Sequence, residues 1–222
     1  WKFHFGHAAN PEKDFNYSIS TIFSKSGGAS GTAIDPRFKD SSWRTVQLPH
    51  DWAVELPFVY SPDNNVDAHG YKPVGGQFPA TSIGWYRKHF LVNRQDSGSR
   101  FQVQFDGIFR NASFWVNGFY LGNNQSGYIG AAYDITDFIN FDRDNVIVVR
   151  VDATQYEGWF YEGAGIYRHV WLNKFQHLHF AQDGVFAYTE VKPGKADIKV
   201  EITAENSDNL KMSCTASFYL ID

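Results

Sequence analysis

Residues 101–121 read FQVQFDGIFRNASFWVNGFYL, and the fold class turns on this stretch. Phe101, Val103 and Phe105 alternate with Gln102 and Gln104, the period of a half-buried strand, and Ala112, Phe114 and Val116 continue it. Asn117-Gly118 then accepts the positive φ angles of a tight hairpin, so a partner strand is expected to begin at Phe119. Outward from here the pattern repeats. Trp1, Phe3 and Phe5 alternate with Lys2 and His4, while VIVVRV from Val146 and YRHVWL from Tyr167 add two more strands. Gly and Pro clusters punctuate the rest: SGGASG from Ser26, the long segment from Leu56 to Gly84, and GWFYEGAG from Gly158. Many short strands with long decorated loops predict an antiparallel β-sandwich, with one short helix expected over Phe15 to Phe23.

Composition agrees and narrows the function classes. Of 222 residues, 43% are hydrophobic and 20% charged, so the chain can bury a sizeable core. The formal net charge of −4 lacks the basic footprint that nucleic acid or an anionic membrane surface requires, and no apolar run reaches the roughly 20 residues that span a bilayer. Aromatics make up 18% of the chain, which suits pleated surfaces and also supplies flat faces for sugar rings. Cys214 is the single cysteine, which excludes an internal disulfide framework and a cysteine-based zinc site. Neither a Gly-Lys-Ser/Thr phosphate loop nor a His-Glu-x-x-His zinc motif occurs. His177 and His179 share a strand face without a third nearby ligand, so no metal or other cofactor is expected.

After about residue 180 the pattern becomes a regular hairpin. VFAYTEV from Val185 leads to Lys192-Pro193-Gly194-Lys195 and then to ADIKVEITAEN, with Ile198, Val200 and Ile202 on one face. A third strand is expected where Met212, Cys214, Ala216, Phe218 and Leu220 alternate with polar or small residues. An immunoglobulin-like sandwich needs about seven strands, so residues 181–222 read as the opening strands of one, following a first domain over residues 1–180.

Several segments resemble, in order and spacing, the amino-terminal part of family 2 glycoside hydrolases: WRTVQLPHDW from Trp43, GWYRKHF from Gly84, FDGIFRNASFWVNG from Phe105, GYIGAAYDIT from Gly127, NVIVVRV from Asn145 and GAGIYRHVWL from Gly163. HGYKPVGGQFPATSIGWYRK from His69 and EGWFYEGAGIYR from Glu157 look most like the β-galactosidases of Bacteroidetes. The resemblance implies a jelly-roll, galactose-binding-domain-like β-sandwich followed by an immunoglobulin-like domain. It also implies a bacterial protein of the periplasm or secreted, with the cytoplasm as the alternative. In WRTVQLPHDW, Pro49 sets the backbone as a strand leaves the sheet, and His50-Asp51 offer a donor and an acceptor to tie down the loop that follows. Arg87 and Arg168 sit inside aromatic strands and are expected to pair with acids such as Asp106 or Asp134.

Retaining glycosidases use two carboxylates about 5–5.5 Å apart. By the resemblance both are glutamates on a (β/α)₈ barrel that follows the two sandwich domains, so no catalytic residue is expected in this chain. Its expected partners are that barrel, in the same polypeptide, and a β-galactoside. In relatives an acidic residue a few positions before the Gly-Ile-aromatic-Arg segment bonds sugar hydroxyls; here the matching position is Trp159. Either Trp159 stacks on the sugar, or hydroxyl recognition passes to Glu157 or Glu162, or Trp159, Phe160 and Tyr161 close a domain interface. The loop with His69, Tyr71 and Lys72 is the second candidate. The alternatives are a stand-alone carbohydrate-binding module and a fragment of a β-glucuronidase or β-mannosidase.

Overall fold

The computed structural model describes residues 1–18, 30–56, 82–155 and 162–221. Their strands are β1 (Lys2–Phe5), β2 (Arg44–Thr45), β3 (Ile83–Leu91), β4 (Arg100–Phe105), β5 (Ala112–Val116), β6 (Phe119–Asn124), β7 (Ala131–Asp134), β8 (Asp144–Asp152), β9 (Val170–Phe175), β10 (Leu178–Lys192) and β11 (Lys195–Asn206). The chain divides into two compact units, Trp1–Ser97 with Phe101–Asn173, and Gly98–Arg100 with Lys174–Asp222.

In the first unit a six-stranded sheet, ordered β2-β1-β3-β8-β5-β6, faces a three-stranded sheet, ordered β7-β4-β9. The expected sandwich is therefore present. Period-two alternation sorts the side chains. Phe101, Val103 and Phe105 of β4 turn inward to meet Phe3, Tyr86, Phe114 and Val149 of the larger sheet, and Gln102 and Gln104 lie half-buried on the other side. Asn117 and Gly118 take φ of 49° and 84°, and β6 begins at Phe119 as the hairpin reading requires.

The six-stranded sheet is covered on both faces, which explains why β5 is buried at every position. On its outer face Ile83, Trp85, Trp115, Val146 and Val148 pack beneath Ala33, Ile34 and Trp43, with the Trp85 and Trp115 rings stacked at 6.0 Å. Polar residues on that face must find partners, since an unpaired buried charge is costly. Arg87 is fully buried; its Nε bonds Asp40 Oδ2 at 2.9 Å, and its Nη1 reaches the carbonyls of Ala33 and Asp35. Asp40 Oδ2 also lies 3.1 Å from His89 Nε2. Burial alone would raise the Asp40 carboxyl, but hydrogen bonds and charge from Arg87 and His89 outweigh it and hold it below its ordinary range.

Some expectations are corrected. Arg87 does not pair with Asp106 or Asp134, because β3 belongs to the larger sheet and turns Arg87 to its outer face. Asp106 accepts from Trp171 Nε1 at 2.8 Å, and Asp134 Oδ1 from the amide of Thr136. Arg168 is exposed, and the strand predicted from Tyr167 starts at Val170. No helix starts at Phe15: Phe15 and Asn16 have φ of 54° and 57°, left-handed values that stop the short turn Glu12–Asp14. The Phe15 ring is instead drawn into an aromatic group, 4.9 Å from Trp43 and 5.1 Å from His4. Residues 19–23 of that expected helix lie outside the described residues.

The second unit holds the predicted hairpin. β10 and β11 pair antiparallel from Leu178↔Asn206 to Lys192↔Lys195, with an irregularity between Phe180 and Val185, and Gly194 supplies φ of 71° in the turn. The third strand expected over residues 212–220 is not seen: 211–221 carry no strand pairing among the described residues, and Phe218, Tyr219 and Leu220 are exposed. Alternation assigns faces to a strand but creates none without a ladder partner.

Replacing Asp40 by Ala should leave the Arg87 guanidinium buried against carbonyls alone and cost about 3–5 kcal/mol. Urea titration of the parent and variant checks this. A loss under about 1 kcal/mol would mean that Arg87 is held by the carbonyls and needs no counter-charge.

Candidate functional site

Of the residues singled out for sugar recognition, Glu162 alone lies among the described residues; Glu157, Trp159, Tyr161, His69, Tyr71 and Lys72 lie outside them. The structure does describe the backbone from which both candidate loops depart. Residues 57–81 leave after Leu56 and return at Ser82, and residues 156–161 leave after Gln155 and return at Glu162. These four roots are tied together.

The tie starts from the local chemistry of LPHDW. The Leu48–Pro49 peptide is cis, and the chain then runs antiparallel to residues 164–166: the His50 amide donates to the Ile166 carbonyl at 2.8 Å and the Trp52 amide to the Ala164 carbonyl at 3.0 Å. Asp51 Oδ1 accepts from the Ala53 amide at 3.0 Å, capping the turn Trp52–Glu55, and from the Ala164 amide at 2.8 Å. One carboxylate thus fixes the start of one loop and the end of the other. The remaining roots meet where the Ala153 amide donates to the Ser82 carbonyl at 2.8 Å. On the other side of residues 164–166, Gly165 exchanges amide and carbonyl bonds with Phe109 at 2.7 and 2.9 Å.

Packing makes the position of this segment nearly obligatory. Gly165 has φ of 118°, and a Cβ there would come within 2.5 Å of the Tyr86 hydroxyl and 2.6 Å of the His50 carbonyl. Gly84 of β3 is equally confined, since a Cβ would fall 2.4 Å from the Trp52 ring. Trp52 therefore lies buried in a slot that two glycines keep open. Glu162 is also buried, at 5% exposure, in contrast to a carboxylate presented on the surface.

Sequence reading identified His50 and Asp51 as loop anchors and the structure agrees; the partners of His50 had no local signal. His50 Nε2 lies 3.1 Å from Glu55 Oε1, and Nδ1 lies 2.7 Å from the Tyr86 hydroxyl. Arg44 bonds the other oxygen of Glu55 at 2.6 Å and lies 3.0 Å from His50 Nε2. Burial lowers the His50 pKa, opposed by Glu55 and helped by Arg44. Burial pushes the Tyr86 hydroxyl well up, so it stays a donor. Together these groups brace the loop roots and offer no nucleophile. Among the described residues no cluster of His, Cys, Asp and Glu could hold a metal ion.

A histidine whose folded pKa is depressed binds fewer protons than in the unfolded chain, so its contribution to stability is complete above about 6.5, the ordinary histidine value, and is lost as pH falls below it. Melting temperatures across that window should fall for the parent, and His50→Gln should flatten the dependence while lowering the plateau. An equally steep fall in His50→Gln would place the titrating group elsewhere.

Residues 32–176 match the family model described as glycosyl hydrolases family 2, sugar binding domain. The chain is 38% identical over 192 residues to the β-galactosidase BoGH2A of Bacteroides ovatus, covering 86% of this chain and 22% of that protein. It is 27% identical to a β-glucuronidase of Formosa agariphila, over 94% of this chain and again 22% of the relative. Among solved structures, a glycosyl hydrolase family 2 member from Bacteroides cellulosilyticus superposes with a TM-score of 0.70 at 32% identity, covering 95% of this chain and 24% of the other. A β-glycosidase from Bacteroides vulgatus gives 0.73 at 28% identity. The chain thus spans under a quarter of the length of these relatives, and it belongs to glycosyl hydrolase family 2, whose sugar binding domain its first unit carries.

Proposed function

We propose that this chain is the N-terminal, non-catalytic part of a retaining family 2 glycosidase that hydrolyses terminal β-galactosides. In this reading the sandwich supports a catalytic barrel of the same polypeptide, and the segments 57–81 and 156–161 reach its substrate. The observation that carries the reading is the Asp51 clamp, in which one carboxylate bonds Ala53 and Ala164 and so brings the roots of both candidate loops to one place. A domain that only filled space would not need both candidate segments anchored on a single side chain. The galactoside is favoured because the relative at 38% identity is a β-galactosidase, while the β-glucuronidase described above is 27% identical. Residues 181–222 are then the opening strands of an immunoglobulin-like domain, and the protein works in the periplasm or outside the cell.

Within the loop, Trp159 stacks on the sugar while Glu157 or Glu162 takes the hydroxyl contact, because a ring cannot accept hydroxyl bonds as a carboxylate does. His69, Tyr71 and Lys72 add contacts from the other loop. In the full-length polypeptide, Trp159→Ala should mainly raise KM for an aryl β-galactoside, and Glu157→Gln or Glu162→Gln should lower kcat. Losing one charged hydrogen bond costs about 1.5–3 kcal/mol, or roughly ten- to a hundredfold in kcat/KM. The 222-residue chain alone should turn over no nitrophenyl β-galactoside, β-glucuronide or β-mannoside. Turnover that purifies with this chain, or parental kcat/KM in all three folded variants, would overturn the reading.

A further inference from the structure

The outer face of the six-stranded sheet carries a cavity of about 440 Å³ that uses none of the residues discussed for substrate recognition. Its size falls in the range of about 300–1,000 Å³ typical of small-molecule sites. It forms where the covering segment 7–17 stops short of the outward residues of β5, β6 and β8. In the middle of the sheet those positions hold Trp85, Trp115 and Val148 under an apolar cover. At this end they hold Ser113, Asn123, Arg150 and Asp152, so the sheet becomes polar where its cover opens.

The floor is rigid and electrically settled. Asp14 is buried; its Oδ1 accepts from Trp85 Nε1 at 2.6 Å and from the His7 amide at 3.3 Å, and its Oδ2 faces Arg150 Nε at 3.0 Å and Nη2 at 2.8 Å. Arg150 Nη1 goes to Asp152 at 3.3 Å, and the guanidinium lies on the Tyr17 ring at 4.4 Å. All three guanidinium nitrogens are thereby engaged, and two carboxylates oppose one cation. Two carboxylates beside one cation leave a net negative charge, which disfavours an anion.

The walls, by contrast, keep capacity to spare. Asn123 Nδ2 points inward to Asn111 Oδ1 at 3.2 Å, the Ala112 carbonyl at 3.0 Å and Ser113 Oγ at 3.2 Å. This leaves Asn123 Oδ1 as an acceptor and Asn111 Nδ2 as a donor on two residues that line the cavity. An acceptor and a donor on one wall suit sugar hydroxyls, each of which donates and accepts. Tyr120, 38% exposed, lines the same cavity together with Tyr17 and Ser113. His7 Nδ1 accepts from the Ala9 amide at 3.2 Å, which puts the proton of the neutral ring on Nε2.

We propose that this cavity binds one neutral pyranose residue of a glycan. Tyr120 stacks on the ring, Asn111 and Asn123 pair with sugar hydroxyls, and the Asp14–Arg150–Asp152 floor excludes uronates. The inference rests on the cavity's own chemistry and stands whether or not the chain belongs to a galactosidase.

The test is a titration of the isotope-labelled 222-residue chain, followed by amide NMR, with methyl β-galactoside, methyl β-glucoside and sodium glucuronate as probes. At least one neutral glycoside should give saturable shifts centred on residues 111–113, 120–123 and 150–152, with a dissociation constant of about 1–10 mM for so open a site. Glucuronate should give none. Tyr120→Ala and Asn123→Ala, both at exposed positions, should weaken binding at least tenfold while the amide spectrum keeps the dispersion of the folded chain. Absence of saturable shifts at tens of millimolar, equal response to glucuronate, shifts centred on residues 50–53 and 164–166, or parental affinity in both variants would each overturn the proposal.

Discussion

A single carboxylate oxygen, Asp51 Oδ1, accepts from two backbone amides that are 111 residues apart in sequence, those of Ala53 and Ala164. The position of everything near it follows from that bond pair. Trp52 can be buried only if its backbone is held against residues 164–166, and Gly84 and Gly165 are confined because Trp52, Tyr86 and His50 fill the space a Cβ would need. Around this point the inner aromatic core joins the two sheets, and His50, Glu55, Arg44 and Tyr86 close the polar side. The clamp is therefore both a packing solution and the device that sets where the segments 57–81 and 156–161 enter and leave.

Sheets buried on both faces leave few ways to host polar groups, and this one uses three. Arg87 takes a counter-charge from Asp40, Arg150 takes one from Asp14, and the Asn117 amide bonds Asn145 Oδ1 at 2.8 Å and the Phe138 carbonyl beside the hairpin turn. Each partner lies in a different segment from the residue it satisfies. That is the cost of covering an outward strand face with long loops in place of solvent.

This division also explains what the sequence could reveal. The Phe101–Phe105 alternation, the Asn117-Gly118 turn and the hairpin around Pro193-Gly194 were legible because each depends on neighbours within a few residues. The anchoring role of His50-Asp51 was legible from residue type. Misreadings came where a distant contact decided the outcome: Phe15 leaves helical geometry for rings at Trp43 and His4, Arg87 finds Asp40 in a loop with no strand pattern, and residues 212–220 alternate without a partner. The outer cavity had no signal at all, since Tyr17, Asn123 and Arg150 meet only through the register of β5, β6 and β8.

The central claim is that the clamp at Asp51 places two loops for one saccharide site. The most direct measurement is kcat/KM for an aryl β-galactoside in the full-length polypeptide carrying Asp51→Ala, taken well below the melting temperature of that variant. Asp51 Oδ1 accepts from the amides at the roots of both loops, so a folded variant should lose about ten- to a hundredfold through misplacement of the loops. A folded Asp51→Ala enzyme with the parental kcat/KM would contradict the account.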